Sequence, residues 1–347
     1  MAKKKAKGPA KPVRKSSAKP RRTARLWAGP AFFTQLCGWV DKPEEVKQTR
    51  ETSENWFPSF AAAAPDVRLE DDNFPDTFLW DAELAVLGKL LPAFHQTLGT
   101  CVSQGWGRAI QDLLLQAIML GETSEVWHGL VATEPLYVGS RIEVGGGRLG
   151  NSQGSIGAWM AKFIQQWGFL LRLKYGQFDF RTPNDNWAQQ YGSSSGGLPP
   201  ELEAIARRHP VRYVAPVTTA PELRASISKM RRPVPVCSNQ GFTNTRDAEG
   251  FDHPNGVWNH CMVWRGYFRA RGGPKGREAF VCQQSWGNQP TGPNKIYLHS
   301  GRVVELPEGC FAVDWAVADR MLRQGDSFTV ADAEGFRARR VKGEMMA

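Results

Sequence analysis

The chain has no Cys-x-x-Cys pair, no acidic residue among its first 26 positions, and no apolar run approaching the ~18 residues needed to span a bilayer. The missing Cys-x-x-Cys pair and the wide spacing of the six cysteines (37, 101, 237, 261, 282 and 310) argue against a tight disulfide framework. They read as mostly reduced thiols, which suits a cytosol or a particle assembled in one. The missing apolar run excludes a spanning helix, and no apolar stretch follows the N-terminal lysines as a secretory signal would require. The missing acids make the net charge of +10 misleading. Eleven basic residues lie in 1–26 (Lys3, Lys4, Lys5, Lys7, Lys11, Arg14, Lys15, Lys19, Arg21, Arg22 and Arg25), and the other 321 residues sum to −1. The basicity belongs to a Lys/Arg/Pro/Ala/Ser tail with almost nothing to bury, which is expected to be disordered alone. Two readings of it are open: a solubilising tail, or a tether that meets DNA, RNA or another polyanion through phosphate contacts.

What is present is a globular remainder. At 41% hydrophobic content, wholesale disorder is excluded, and 347 residues can build two lobes around a sizeable core. The stretch Gln96-Thr97-Leu98-Gly99-Thr100-Cys101 leads into apolar positions 102, 106, 109, 110, 113, 114, 117 and 118, the stripe of a helix running to about Leu120. A thiol at a helix start sits at the positive end of the macrodipole, where the thiolate nucleophile is favoured. The other reading is a small buried Cys capping a core helix. Upstream, residues 27–90 are aromatic-rich, with short helices expected at Pro43–Thr49 and Asp81–Leu91. This segment either lies across a groove as an inhibitory extension or packs on the domain behind it.

Downstream, Arg141-Ile142-Glu143-Val144 reads as a strand before Gly145-Gly146-Gly147-Arg148-Leu149-Gly150. That loop matches G-x-G-x-x-G. The next helix starts only near Ser155, however, and no acid occurs in 169–176, so a dinucleotide site is not supported. Glycines that allow a substrate backbone to approach closely fit better. Further helices are expected at Ser155–Trp167, Pro199–Arg208 and Thr219–Met230, the last opened by a Thr219/Glu222 capping box. From Val234 onward, short β-like runs take over. Helices first and strands second indicate an α+β chain with no internal repeat.

The segment Trp258 to Phe268, the turn Arg271–Gly276 and Glu278 to Ser285 read as a hairpin. If the turn centres near Gly272, His260 faces Gln284. A carboxamide that orients an imidazole, with the other ring nitrogen facing a sulfur, is what a Cys–His enzyme needs. Metal ligation by His253, His260, Cys261, Cys282 and His299 is the alternative, but their spacing fits no zinc template.

Four segments together carry a resemblance: Gln96 to Cys101, Leu136-Tyr137 with Gly154-Ser155 and Gly168, Asn259-His260-Cys261-Met262-Val263, and Gln284-Ser285-Trp286-Gly287. Over roughly 91–325 the chain resembles the papain-like (C1) cysteine peptidases, in the form of bacteriophage-encoded members. The resemblance implies an α+β, papain-like two-lobe fold, with a helical lobe packed on a barrel-like antiparallel β lobe and a cleft between them. It implies Cys101 as nucleophile, His260 as general base and acid, Gln96 as oxyanion donor with the Cys101 N–H, and Gln284 in place of the family's orienting Asn. Trp286 would shield the His–amide contact, and Gly146 and Gly147 would line the substrate groove. Gln96 lies five residues before Cys101 where the family has six, and Val102 replaces an aromatic.

The expected organisation is a basic tail (1–26), a pro-like extension (27–90), a helical lobe (91–215), a β lobe (216–325) and a C-terminal tail (326–347). The expected activity is cleavage of peptide or protein substrates without metal or organic cofactor, in a bacterial host cytoplasm or a virion. Two alternatives stand beside it. One is a catalytically weak or inactive papain-fold structural or virion-associated protein, bound to nucleic acid through its basic tail and to other virion proteins. The other is a Cys–His acyl transferase or amidase acting on peptidoglycan cross-links.

Overall fold

The computed structural model describes residues 35–121, 126–272 and 274–333. The basic tail lies outside the described residues, as do positions 334–347.

In chain order the elements are α1 (Pro43–Thr52), α2 (Phe60–Ala63), β1 (Thr77–Phe78), α3 (Asp81–Leu87), α4 (Cys101–Met119), α5 (Thr133–Gly139) and α6 (Gly157–Gln166). There follow β2 (Lys174–Tyr175), β3 (Phe178–Asp179), α7 (Asp185–Tyr191), α8 (Pro200–Ala206), β4 (Val211–Pro216), α9 (Ala220–Ser228), β5 (Val234–Phe242), β6 (Pro254–Ala270) and β7 (Arg277–Gln283). The chain closes with β8 (Lys295–Tyr297), β9 (Val303–Glu305), β10 (Cys310–Asp314), α10 (Trp315–Leu322) and β11 (Asp326–Ala333). Helices dominate the first half and strands the second. The main sheet is antiparallel with the order β10-β7-β6-β5-β11-β4, and β1 also pairs with β6. Its path is open, with β10 and β4 at its ends, rather than closed into a barrel.

The helix α4 begins at Cys101 as its stripe predicts, but it is buried on nearly every side. The face opposite the stripe carries Arg108, Gln111, Asp112 and Gln116, all buried and each with at least one hydrogen-bond partner. Gln111 Oε1 accepts the Val131 N–H at 3.0 Å and Gln116 Nε2 donates to Leu79 O at 2.8 Å. Polar side chains can occupy a core when each finds a partner. Gly105 and Gly107 weaken the helix by propensity, yet packing requires them. A Cβ at Gly105 would lie 3.0 Å from Met262 O and 3.3 Å from Cys261 Sγ, and one at Gly107 would lie 2.9 Å from Thr133 Cγ2. At Gly105 the helix lies so near β6 that a Cβ would push on it by a few tenths of an ångström.

Three expectations change. Arg141-Ile142-Glu143-Val144 is not a strand: Ser140–Val144 is a π-helical turn continuing α5. Its apparent alternation arises because Arg141 turns inward. Its guanidinium donates to Gly192 O (2.8 Å), Gly150 O (2.9 Å), Ser152 O (2.6 Å) and Gly154 O, lacing down the glycine-rich loop. The segment Asp326–Ala333, assigned to a tail, is the strand between β5 and β4. Finally, the hairpin register is shifted: Val263 faces Gln283, where a turn centred at Gly272 would set it against Val281. A bulge between Trp264 and Gly266 and a longer turn account for the slip. Extended to His260, the shifted register brings up Trp286 instead of Gln284. The Thr219/Glu222 capping box is present as expected.

Candidate functional site

Three of the four segments, with Gly154 and Ser155 of the other, converge where α4 meets β6, whereas Gly168 packs against Ala206 and His209. Gln96 N–H donates to Ser285 O at 3.0 Å, and Ser285 Oγ donates to Gln96 Oε1. The Trp286 ring stacks on the His260 imidazole, with centroids 4.4 Å apart and planes at 29°. Cys101 packs in the same buried cluster as Cys261, the residue after His260. Gln96 and Cys101 thus lie on one face of β6 and His260 with Trp286 on the other: the structure brings His260 to Trp286, but not to the Cys101 sulfur and not to Gln284. Gly146 and Gly147 join neither face; Gly147 packs beside Ser194. The glycine at this seam is Gly154, whose Cβ would fall 2.5 Å from Gly38 O.

Residues Leu36 to Val40 run across the seam. Gly38 N–H donates to Cys101 Sγ at 3.2 Å. Gln96 Nε2 donates to Leu36 O at 2.6 Å and to Leu98 O at 2.9 Å. On one side, Val40 N–H reaches Ser155 O (2.9 Å) and Ser155 N–H reaches Gly38 O (2.8 Å); on the other, Trp39 N–H reaches Asn259 O (3.0 Å). Gly38 passes so near Gly99 that a Cβ would sit 1.9 Å from the Gly99 carbonyl oxygen. Trp39 is buried, and its indole N–H donates to Asp326 Oδ2 at 2.7 Å. Asp326 also accepts the Gly157 and Ala158 N–H groups at 2.7 Å each, capping α6 from a distant strand. Burial leads the causes that raise the Asp326 carboxyl to about 6.

These contacts set the electrostatics. Cys101 and His260 are both wholly buried. Burial pushes the Cys101 thiol well above its ordinary value, with Cys261 and Cys37 adding to the rise. The helix-start position therefore does not produce a thiolate in this state, because desolvation outweighs the dipole. Burial alone lowers the His260 imidazole to about 3. Neither of its ring nitrogens has a hydrogen-bonding partner among the described residues. The two-residue period of β6 groups His260 with Trp258, Met262 and Trp264, which pack with Trp286, whereas Cys261 packs with Cys101. Gln284 Nε2 donates to Gln289 O at 2.5 Å, and its Oε1 has no partner among the described residues.

Beneath this seam lies a buried cluster of four charges that sequence reasoning missed. The Arg265 guanidinium donates to Asp112 at 2.7 and 2.6 Å, to Gln283 Oε1 at 2.9 Å and to Glu83 Oε1. Arg108 donates to Glu83 Oε1 at 3.3 Å and to Pro92 O. No local pattern marks these residues, because their partners are 16 to 182 positions away. Leu36 to Val40 and Asp326 were missed for the same reason. Among the described residues, no three His, Cys, Asp or Glu side chains gather to hold a metal ion, and no helix is long and apolar enough to cross a membrane.

No protein-family model and no curated protein matches this chain. Among solved structures, it is similar to xylellain, a cysteine protease from Xylella fastidiosa, at 13% identity and a TM-score of 0.48, covering 85% of this chain and 90% of that one. It is also similar to a procathepsin B from Trypanosoma congolense (10%, TM-score 0.47, 89% of each chain). A third is procathepsin L 3 of Tenebrio molitor larval midgut (13%, TM-score 0.45, 84% of this chain and 79% of that one).

Proposed function

We propose that the protein is a cysteine peptidase held shut by its own residues 36–40. The observation that carries this reading is how that segment uses its peptide groups. Its Gly38 N–H satisfies the Cys101 sulfur and its Leu36 carbonyl satisfies the Gln96 carboxamide. A peptide substrate would present the same groups to the same atoms. In the closed state the thiol and the imidazole are both neutral, so the site is chemically quiet. Displacing the strap admits water, which removes the desolvation that raises one group and lowers the other. Catalysis also requires the imidazole, which β6 turns to the face away from Cys101 here, to come within hydrogen-bonding reach of the sulfur; His260 then takes the Cys101 proton, and the thiolate attacks a peptide carbonyl. Gln96 Nε2, released from Leu36, and the Cys101 N–H receive the oxyanion, each worth roughly 3 kcal/mol by analogy with mapped donors. His260 then protonates the leaving amine, and water hydrolyses the thioester. To orient the ring, Gln284 must turn to it from Gln289 O and the cavity it lines here; Trp286, already stacked on the ring, shields that contact. Residues 1–26 would tether the enzyme to nucleic acid, a contact whose affinity falls steeply with salt.

The burial of Cys101 and His260 favours one other reading, in which both are core residues of an inert scaffold. The full chain carrying Gly38→Ala separates the two, because the added Cβ overlaps the Gly99 backbone and opposes closure of the strap. Iodoacetamide is expected to alkylate Cys101 in this variant faster than in the wild type and faster than the other five thiols. The variant is expected to hydrolyse an unfolded protein such as casein, and Gly38→Ala with Cys101→Ser is not. A folded Gly38→Ala protein whose Cys101 is alkylated but which hydrolyses no peptide bond would overturn the peptidase reading.

A further inference from the structure

The charge cluster and the candidate site meet at one small cavity of about 10 Å³, lined by residues that include Phe94, Gln104, Arg108, Cys261, Gln284 and Ser285. Two of these residues carry orphaned atoms of opposite kind. Arg108 Nε–H is a donor without a partner and Gln284 Oε1 an acceptor without one, among the described residues. Arg108 is 2% exposed and Gln284 3%. Leaving both unpaired would cost about 1–3 kcal/mol for each group, more where the group is charged. A cavity of roughly 10–15 Å³ with at least two polar partners is what a single buried water requires.

We propose that the cavity holds one ordered water that accepts from Arg108 Nε–H and donates to Gln284 Oε1, which makes Arg108 a positioning residue for the Gln284 carboxamide. The guanidinium cannot accept, so the water must accept from it and direct a hydrogen outward. An outward hydrogen favours the carboxamide oxygen and rejects its NH2 group. The amide is then held from both ends, by the water at Oε1 and by Gln289 O at Nε2. Arg108 is itself fixed by Glu83 and Pro92. The orientation of the carboxamide is thereby referred to Arg108 and, through it, to Glu83 and Pro92. Sequence alone could not reveal this link, since Arg108 lies mid-helix and reads as a surface cation.

The bearing on catalysis rests on the peptidase reading, but the water does not, and the experiments separate the two. A crystal structure of the full chain should show a water within about 3.2 Å of both atoms. A dry cavity, or Arg108 Nε bonded to a protein group, would overturn the proposal. In solution, the buried Arg108 Nε–H resonance should show a cross-peak to water that is lost in Gln284→Leu; its persistence there would count against the bridge. In Arg108→Lys, which keeps a cation beside Glu83 but loses the mid-chain donor, the Gln284 side-chain amide signals should shift or double. Unchanged amide signals would refute the positioning role. If the enzyme is active once opened, Arg108→Lys should lower kcat roughly tenfold to a hundredfold with little change in KM. Water and amide signals as expected, with no activity in any form, would sink the peptidase reading alone.

Discussion

Acidifying the protein from pH 7 to pH 5 should destabilise it through His260. Among the described residues the buried imidazole has no polar partner, and its value falls from 6.5 to about 3 because the charged form would lose its hydration. In the unfolded chain it titrates normally. Below pH 6.5 the unfolded state binds a proton that the folded state refuses, so the stability contributed by the neutral ring is complete above pH 6.5 and is lost as pH falls. At about 1.4 kcal/mol per pH unit, the loss is roughly 2 kcal/mol at pH 5 and approaches about 5 kcal/mol near pH 3. Asp326 and Asp252 oppose this. Burial leads the causes that raise both carboxyls to about 6, so each favours the folded state more as pH falls through 6. Each can return up to about 3 kcal/mol, which masks the His260 effect in a simple pH profile. The comparison must therefore be differential. Urea unfolding of the wild type and of His260→Leu, at intervals from pH 7 to pH 5, isolates the ring, since the carboxyl terms are common to both. The wild type should lose about 2 kcal/mol relative to the variant across that range. Parallel profiles would show that the imidazole is solvated or partnered, and the account of a sealed, neutral pair would fail.

Gly105→Ala should lower stability by about 1 kcal/mol, because a Cβ 3.0 Å from Met262 O outweighs the gain of roughly 1 kcal/mol in helix propensity; a stabilised variant in thermal unfolding would show that the helix is not pressed on β6. Asp326→Asn should cost about 2 kcal/mol at pH 7, since the Gly157, Ala158 and Trp39 N–H groups lose a charged acceptor. It should also remove that carboxyl's gain in stability below pH 6, and an unchanged acid limb would refute the assignment. Binding of duplex DNA by the full chain should fall linearly in log affinity against log salt, and should become weak when the basic residues of 1–26 are neutralised. Equal affinity for both proteins would place the polyanion contact elsewhere or remove it.

The legible parts of the sequence were those governed by local chemistry. The stripe after Cys101 located α4, the Thr219/Glu222 box located α9, and the glycine turn with its flanking apolar runs located the β6–β7 hairpin. The identities of Cys101, His260, Gln284 and Trp286 were also visible, because residue types at a helix start and along a hairpin can be read without coordinates. Their register was not: a slip of two positions brought Trp286 rather than Gln284 to His260, and only the bulge and the turn geometry decide that.

What the chain alone determined is an α+β protein with a thiol at a helix start and an imidazole on a later strand. Tertiary structure decided whether those groups are available. A segment 60 residues upstream of Gln96 supplies the carbonyl that occupies its amide, and a glycine 63 residues from Cys101 supplies the N–H on its sulfur. A strand 169 residues beyond Gly157 caps its helix. Burial is a sum over neighbours brought in by the whole fold. It sets the thiol high and the imidazole low, against what the helix dipole and the residue type predict, because excluding water from a charge outweighs any dipole the local sequence can aim at it.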